Sequence, residues 1–337
     1  MPKKLINYAL VGCGRVSKKH LEAIKHIKQV NLYALCDIDN GRLETAGTNY
    51  GCARLFDNFY EMLKDKNIDL VSICTPSGLH AEMAIAAAKY KKHVILEKPM
   101  ALNEPDAKRI LEAFRRSGTS LTVMLQNRTN PTISFLQKHK KSLGRLLYIN
   151  AHTYWHRKQE YYQDGWHGTA NMDGGVLMNQ GTHFVDMVQY LVDSDATEVM
   201  ALGGTFGHKM ECEDAITVNL KFANGVIANI QANTLSYPEN FEGAVTLFFK
   251  KATVKIGGTA MNKISHWKGT DEKAAVKFMD IPISDIYGNG HYSVIKNMID
   301  HLLNGKKLLI PGKEGVPSLK IIETAYKSIK SEKLIHI

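Results

Sequence analysis

The sequence predicts two domains in tandem: an α/β domain with a doubly wound parallel sheet, then an α+β domain with a large, mostly antiparallel sheet. Three observations predict it. Through about residue 125, short apolar runs alternate with amphipathic stretches at strand–helix spacing, the signature of parallel βαβ units. A glycine turn, Gly12-Cys13-Gly14-Arg15-Val16-Ser17, follows the first of those runs and opens the first helix. From Gln126 onward the runs lengthen, and Asn224-Gly225 joins two of them, a strong hairpin signal. The 337 residues divide accordingly into 1–125 and 126–337, a length that favours two domains over one.

Residues 5–11 read as the first strand and 17–27 as a helix. Residues 31–37 form a second strand ending on Cys36-Asp37, and 42–50 a second helix. The apolar run 70–74 is a strand, followed by Thr75-Pro76-Ser77 and a helix over 80–90. Residues 94–96 are a buried strand that Pro99 stops. Asn103 caps a helix running to Ser117, with Pro105 tolerated in its first turn and Gly118 closing it. Residues 121–125 end the series as a strand. In the second half a helix over 131–141 precedes strands at 146–154, 199–205, 215–222, 226–233, 244–249 and 253–256. A helix over 175–191 interrupts them, and helices over 291–304 and 315–330 close the chain.

Hydrophobic content of 44% and charged content of 23% are ordinary for a globular chain. The five cysteines are scattered and none has CxxC spacing, so neither a zinc site nor a disulfide framework is implied, and a reduced cytoplasm is expected. The start does not read as a signal peptide, so none is expected, and no apolar stretch approaches the ~20 residues of a membrane helix. Net charge is +10. The lysines are spread over helix faces without interleaved aromatics, which argues against nucleic acid and for a solvated surface, with a mild positive field suited to an anionic substrate.

Gly12-x-Gly14-x-x-Ser17 has the strand–turn–helix context in which such a turn binds a dinucleotide. Gly12 permits the tight turn and Gly14 lets the backbone approach a pyrophosphate. The helix start, with Arg15 and Val16, offers free N–H groups and the positive end of its dipole. Asp37 lies 20 residues beyond Ser17 at a strand end, placed for the ribose 2′-hydroxyl. Its charge repels a 2′-phosphate, so NAD is expected over NADP, although Asn40 and Arg42 nearby would soften that preference. Thr75, Pro76 and Ser77 stand at a strand's carboxyl end, where open α/β sheets bind ligands. With His80 they are expected to touch the cofactor, the plainer readings being a capping turn and a helix-packing histidine.

Leu96-Glu97-Lys98-Pro99 delivers a lysine to the sheet rim at a fixed place. Such a lysine holds a substrate hydroxyl and passes a proton. Glu97 is expected to orient it, and a nearby nicotinamide cation would lower its proton affinity. The alternative is a salt-bridged surface lysine. In the second half, Asp173-Gly174-Gly175 precedes Met178-Asn179-Gln180-Gly181-Thr182-His183. Glycines allow close approach, and Asn179 and His183, four apart, share one helical face. An amide and an imidazole there bind adjacent hydroxyls, with His183 titrating where a general base should. A satisfied core histidine is the alternative. No HxxxH or CxxC accompanies this helix, so no metal is expected.

Taken in order, the glycine turn, Asp37, Thr75-Pro76, Glu97-Lys98-Pro99 and the 174–183 helix resemble the glucose–fructose oxidoreductase/inositol dehydrogenase (Gfo/Idh/MocA) family over nearly the whole chain. The resemblance implies an N-terminal Rossmann domain, a C-terminal sheet whose open face forms a homodimer or homotetramer, and Lys98 and His183 flanking the substrate as hydride passes to nicotinamide. Gln126-Asn127-Arg128, Tyr161-Tyr162, Trp166-His167-Gly168-Thr169, Ile256-Gly257-Gly258, Asn262-Lys263-Ile264 and Tyr287-Gly288-Asn289-Gly290-His291 are similar to the branch that oxidises the 3-hydroxyl of UDP-N-acetylglucosaminuronic acid or a close relative, for surface polysaccharide sugars. Asn179 fits that branch, whereas His167 stands where an arginine is expected. The resemblance makes Asn179, Gln126, Arg128, Tyr161 and His291 expected substrate contacts. It adds Glu97, Lys98, Gln126 and Trp166 to the cofactor contacts. An inositol or free-sugar dehydrogenase is the alternative enzyme, and a cofactor-sensing regulator without catalysis the alternative class.

Overall fold

The computed structural model describes residues 5–258, 260–279, 281–282, 288 and 290–337. Tyr287 and Asn289 lie outside the described residues. By internal contacts the chain forms two compact units, residues 1–125 with 291–316, and residues 126–290 with 317–337.

The first unit holds β1 (Ile6–Val11), α1 (Ser17–Lys25), β2 (Val30–Cys36), α2 (Asn40–Tyr50), β3 (Leu55–Phe56), α3 (Phe59–Lys64), β4 (Leu70–Ile73), α4 (His80–Lys89), β5 (His93–Leu96), α5 (Glu104–Ser117) and β6 (Leu121–Val123). Its six strands are all parallel, in the order β3-β2-β1-β4-β5-β6. That is the doubly wound order, with a switch point between β1 and β4. The central strands β1, β4 and β5 are buried on both faces, so they read as continuous apolar runs such as Val94–Leu96. Asn103 caps α5 as expected, accepting from the Asp106 N–H, and Gly118 ends it in the left-handed region at φ +72°. β3 and α3 are additions to the sequence reading. A two-residue strand has no periodicity to detect; Asn58, accepting from the Tyr60 and Glu61 N–H groups, marks the start of α3.

The second unit contains α6 (Pro131–His139), β7 (Leu146–Tyr154), α7 (Thr182–Val192), β8 (Ala196–Gly204), β9 (Ala215–Phe222), β10 (Ile227–Asn233), β11 (Glu242–Phe249), β12 (Ala252–Gly257), β13 (Lys263–Lys268) and α8 (Glu272–Ala275). Two long helices, α9 (Gly290–Asn304) and α10 (Val316–Ser331), and the short strand β14 (Ile335–His336) finish the chain. The eight strands run β13-β12-β11-β7-β10-β9-β8-β14. Every neighbouring pair is antiparallel except β7 with β10. Asn224-Gly225 turns the β9–β10 hairpin, with Gly225 at φ +83°. Burial alternates along β9 and β10 because α7 packs on one face, against β7, β10 and β11. Among the described residues no helix is long and apolar enough to cross a membrane, and all five cysteines are free thiols.

Candidate active site

In the first unit the glycine turn is built for a close approach. Gly12 sits at φ +89°, and a Cβ there would lie 2.6 Å from the Cys74 carbonyl oxygen, so only glycine lets the β1 and β4 ends pass. A Cβ on Gly14 would meet nothing within 4 Å, which leaves the backbone open to a ligand. Ser17 turns inward and donates to the Gly14 carbonyl at 2.7 Å. Val16 precedes α1 without a side-chain cap, an arrangement in which a helix start can receive an anion. Asp37 is buried at the β2 end and accepts the Cys13 N–H (2.6 Å) and the Asp39 N–H (2.9 Å). Each carboxylate oxygen keeps a lone pair for a hydroxyl donor. Arg42, the nearby cation able to greet a 2′-phosphate, leans on Asp39 at 3.3 Å.

Thr75-Pro76-Ser77 leads from β4 into a 3-10 turn, Ser77–Leu79, and then α4. His80, the first residue of α4, is buried. Its Nδ1 lies 2.7 Å from the Pro99 carbonyl and its Nε2 3.0 Å from the Thr75 carbonyl. Both nitrogens thus face main-chain acceptors from two rim segments, and the neutral ring donates to one of them. Burial holds the His80 pKa below its ordinary value although both carbonyls favour the charged ring.

Lys98 is half-buried just beyond β5, joined to Pro99 by a cis peptide. Glu97 is 5% exposed. Its Oε2 accepts the Lys98 N–H at 3.2 Å, and its Oε1 accepts from His20 Nε2 at 2.8 Å. His291 Nε2 lies 3.6 Å from the same Oε1. His20 Nδ1 in turn faces Ser72 Oγ at 3.1 Å, and Tyr8 Oη donates to Ser72 at 2.5 Å. Burial alone would raise the Glu97 carboxyl, but the two imidazoles outweigh it and hold the group well below the usual range. Burial lowers His291. The sequence reading expected His291 against substrate; the structure places it, 3% exposed, against Glu97.

In the second unit Gly174 and Gly175 adopt φ +83° and +89°. A Cβ on Gly175 would come 2.0 Å from Glu213 Oε2. Glu213 accepts the Leu177 N–H at 2.9 Å, and burial pushes its carboxyl up to about 7. The Tyr326 hydroxyl reaches Glu213 at 3.0 Å and donates to the Gly174 carbonyl. The chain beyond Gly175 is not the single α-helix expected over 175–191. Leu177–Gly181 is a π-helical turn and α7 begins at Thr182. Asn179 lies in the π turn and His183 in α7, so their register is not that of a regular helix; such turns concentrate at functional sites. Asn179 Nδ2 donates to Asp173 Oδ1 at 2.5 Å, and the Tyr161 hydroxyl stands 3.5 Å from it. Tyr161 stacks on His167 (3.9 Å between centroids), and His167 on Trp166 (3.6 Å). His167 is fixed by Asp164, Nδ1 to Oδ2 at 2.5 Å.

Gln126 and Arg128 lie in a 3-10 turn, Gln126–Thr129. Among the described residues the buried Gln126 Oε1 has no partner, an acceptor suited to a ligand N–H or O–H. Arg128, expected to meet substrate, forms a buried two-pronged pair with Asp186 of α7 (2.7 and 3.0 Å) and faces the Tyr190 ring at 4.7 Å. His20, Asp186, Glu213 and Tyr326 carry this architecture without a motif. Each sits where a helix or strand places an ordinary polar residue, and only the fold reveals its partner.

A doubly wound sheet, a glycine turn at an uncapped helix start and a carboxylate at the β2 end define a dinucleotide-binding domain. Comparison with known proteins agrees. Residues 6–125 match the family described as oxidoreductase family, NAD-binding Rossmann fold, and residues 139–255 match the GFO/IDH/MocA C-terminal domain. The WlbA dehydrogenase of Bordetella pertussis, crystallised with NADH and UDP-GlcNAcA, is 34% identical, covering 100% of this chain and 99% of that one, with a TM-score of 0.92. The WlbA dehydrogenase of Chromobacterium violaceum, in complex with the same two ligands, is 33% identical with a TM-score of 0.92, covering 100% of this chain and 97% of that one. The myo-inositol 2-dehydrogenase of Thermotoga maritima is 23% identical over 339 residues, 97% of each chain. The chain therefore belongs to the Gfo/Idh/MocA family and is an NAD-dependent sugar or polyol dehydrogenase, acting on a CH–OH group.

Proposed function

We propose that the enzyme oxidises the 3-hydroxyl of a UDP-linked N-acetylamino sugar or its uronate, for surface polysaccharide sugars. The observation that carries this reading is the full-length likeness, at 33–34% identity, to two dehydrogenases crystallised with UDP-GlcNAcA and NADH. The second unit supports it, with Asn179 held by Asp173 beside Tyr161. A net charge of +10 suits an anionic substrate.

In this reading the α1 start, Gly14 and Asp37 hold NAD, which accepts the hydride. Lys98 or His183 takes the hydroxyl proton as hydride leaves the same carbon. The ammonium of Lys98 stabilises the developing alkoxide, an electrostatic contribution that is large where water is excluded. Asn179 and Gln126 orient the sugar. A free polyol is the second reading, favoured by the whole-length likeness to the myo-inositol enzyme and by His167, which pairs with Asp164 where an arginine would meet a carboxylate. The open face of the second sheet is proposed as the homo-oligomer interface. NADH absorbance with UDP-GlcNAcA, UDP-GlcNAc, free N-acetylglucosamine and myo-inositol tests the assignment. Turnover confined to the UDP-linked sugars is expected; turnover of myo-inositol alone overturns it.

A further inference from the structure

The polar groups behind Lys98 form a continuous chain through the interior of the first unit. It runs from Tyr8 of β1 to Ser72 of β4, to His20 of α1, to Glu97 at the β5 end, with His291 of α9 on the same carboxylate oxygen. Tyr8 and Ser72 are 0% exposed, as is His20. The carboxylate only accepts, and this sets the direction of the bonds. His20 Nε2–H donates to it, Ser72 accepts from Tyr8, and in the neutral ring His20 Nδ1 accepts from Ser72. The remaining oxygen of Glu97 takes the Lys98 main-chain N–H. On the other side of Lys98, the Pro99 carbonyl is held by His80 of α4.

We propose that Glu97 is a positioning residue for the dehydrogenase reaction: its buried carboxylate, clamped by His20 and His291, fixes the Lys98 backbone to α1, the helix that starts at the nucleotide turn. The inference rests on Lys98 acting in catalysis. Lysine is a long, flexible side chain, so where its ammonium falls depends on how firmly its Cα is held, and a misplacement of 1 Å costs about 10²-fold in rate. Both neighbours of Lys98 lie against buried histidines that belong to helices packed in the core. The requirement is for a carboxylate in particular. Three groups converge on Glu97, and at least two of them, the His20 and Lys98 N–H groups, are donors. A glutamine would turn its NH2 toward one of those donors, leaving a buried donor without an acceptor.

A double-mutant cycle tests this, with the sugar or polyol that the wild-type enzyme turns over, read as NADH absorbance, and NADH affinity by fluorescence. E97Q is expected to lower kcat by about 10²-fold with a smaller change in KM, and to add no further loss in the K98A background. An equal loss in both backgrounds, or none in either, overturns the proposal. If K98A itself turns over at the wild-type rate, the catalytic assignment of Lys98 falls, and this route for Glu97 falls with it. Should E97Q not fold, H20Q and H20L carry the test: glutamine keeps an N–H for the carboxylate and retains more of kcat than leucine, whereas equal losses overturn it. The three ligand atoms of His20, Glu97 and His291 lie within 4.8 Å of one another. One zinc ion per chain that survives purification and is lost in H20L would also overturn the positioning role.

Discussion

Lys98 is the second residue beyond β5, a strand that has no freedom to slide. The Glu97 N–H is bonded to Ile73 of β4 and the Leu96 carbonyl to the Met124 N–H, so the sheet ladder reaches the residue before the lysine. K98A is expected to keep NADH binding and lose orders of magnitude in kcat, measured by stopped-flow absorbance; near-normal turnover would remove Lys98 from the chemistry. Asp37 gives a second residue-scale prediction. Replacing it by serine removes a charged acceptor for the ribose hydroxyls, about 2 kcal/mol or roughly 30-fold in NAD affinity, and lets NADP compete. The ratio of kcat/KM for the two cofactors measures this, and an unchanged ratio would refute it. The placement of Lys98 and Asp37 beyond strand ends was legible in the sequence because each follows an apolar run. Their support was not. His20 reads as a polar residue in an amphipathic helix, and Ser72 as a weak point in an apolar strand, until the fold puts them 3.1 Å apart.

Two elements of the second unit are set by buried charge. The Arg128–Asp186 pair ties the 126–129 turn to α7, with both side chains under one-tenth exposed. D186N leaves the guanidinium buried without its counter-charge and is expected to cost about 3–5 kcal/mol in urea unfolding; a change within error would show that the turn is anchored elsewhere. Glu213 braces the Gly174–Gly175 turn with its pKa raised from 4.5 to about 7, chiefly by burial. Between those values the folded chain holds a proton that the unfolded chain has released. Stability is therefore greatest below the lower value and declines as pH rises through 7. E213Q, neutral throughout, removes this decline. Thermal melts near pH 5 and pH 8 should differ less in the variant than in the wild type, and identical differences would contradict the assignment. The apolar periodicity of 175–191 showed that a helix was present. Its π turn was hidden because one extra residue per turn barely disturbs a hydrophobic stripe, and its cause is tertiary: Glu213 and Tyr326, far away in sequence, hold its first N–H groups, those of Leu177 and Met178.

At the scale of the molecule, the alternation of strand and helix before residue 126, and the longer strands after it, foretold one parallel and one mostly antiparallel sheet. The return of residues 291–316 to the first unit was not legible, because a helix carries no mark of which core it joins. One face of the second sheet carries exposed apolar side chains among polar ones such as Asn150, Asn219, Asn229 and Gln231. By register Tyr148, Ile227, Phe248, Met200 and Leu202 share it, and Leu202 is 63% exposed. The proposed homo-oligomer interface lies on this face. M200E with L202E is expected to convert a homo-oligomer to monomer by light scattering while keeping NADH binding; a monomeric wild type would contradict the interface. The measurement that bears most directly on the whole account tracks the hydride itself. UDP-GlcNAcA carrying deuterium at C3 should deliver it to the nicotinamide, giving deuterated NADH, a slowed turnover and a 3-keto product by mass spectrometry and NMR. Deuterium that stays on the sugar while NAD is reduced, or no reduction with this substrate while myo-inositol is oxidised, would contradict it.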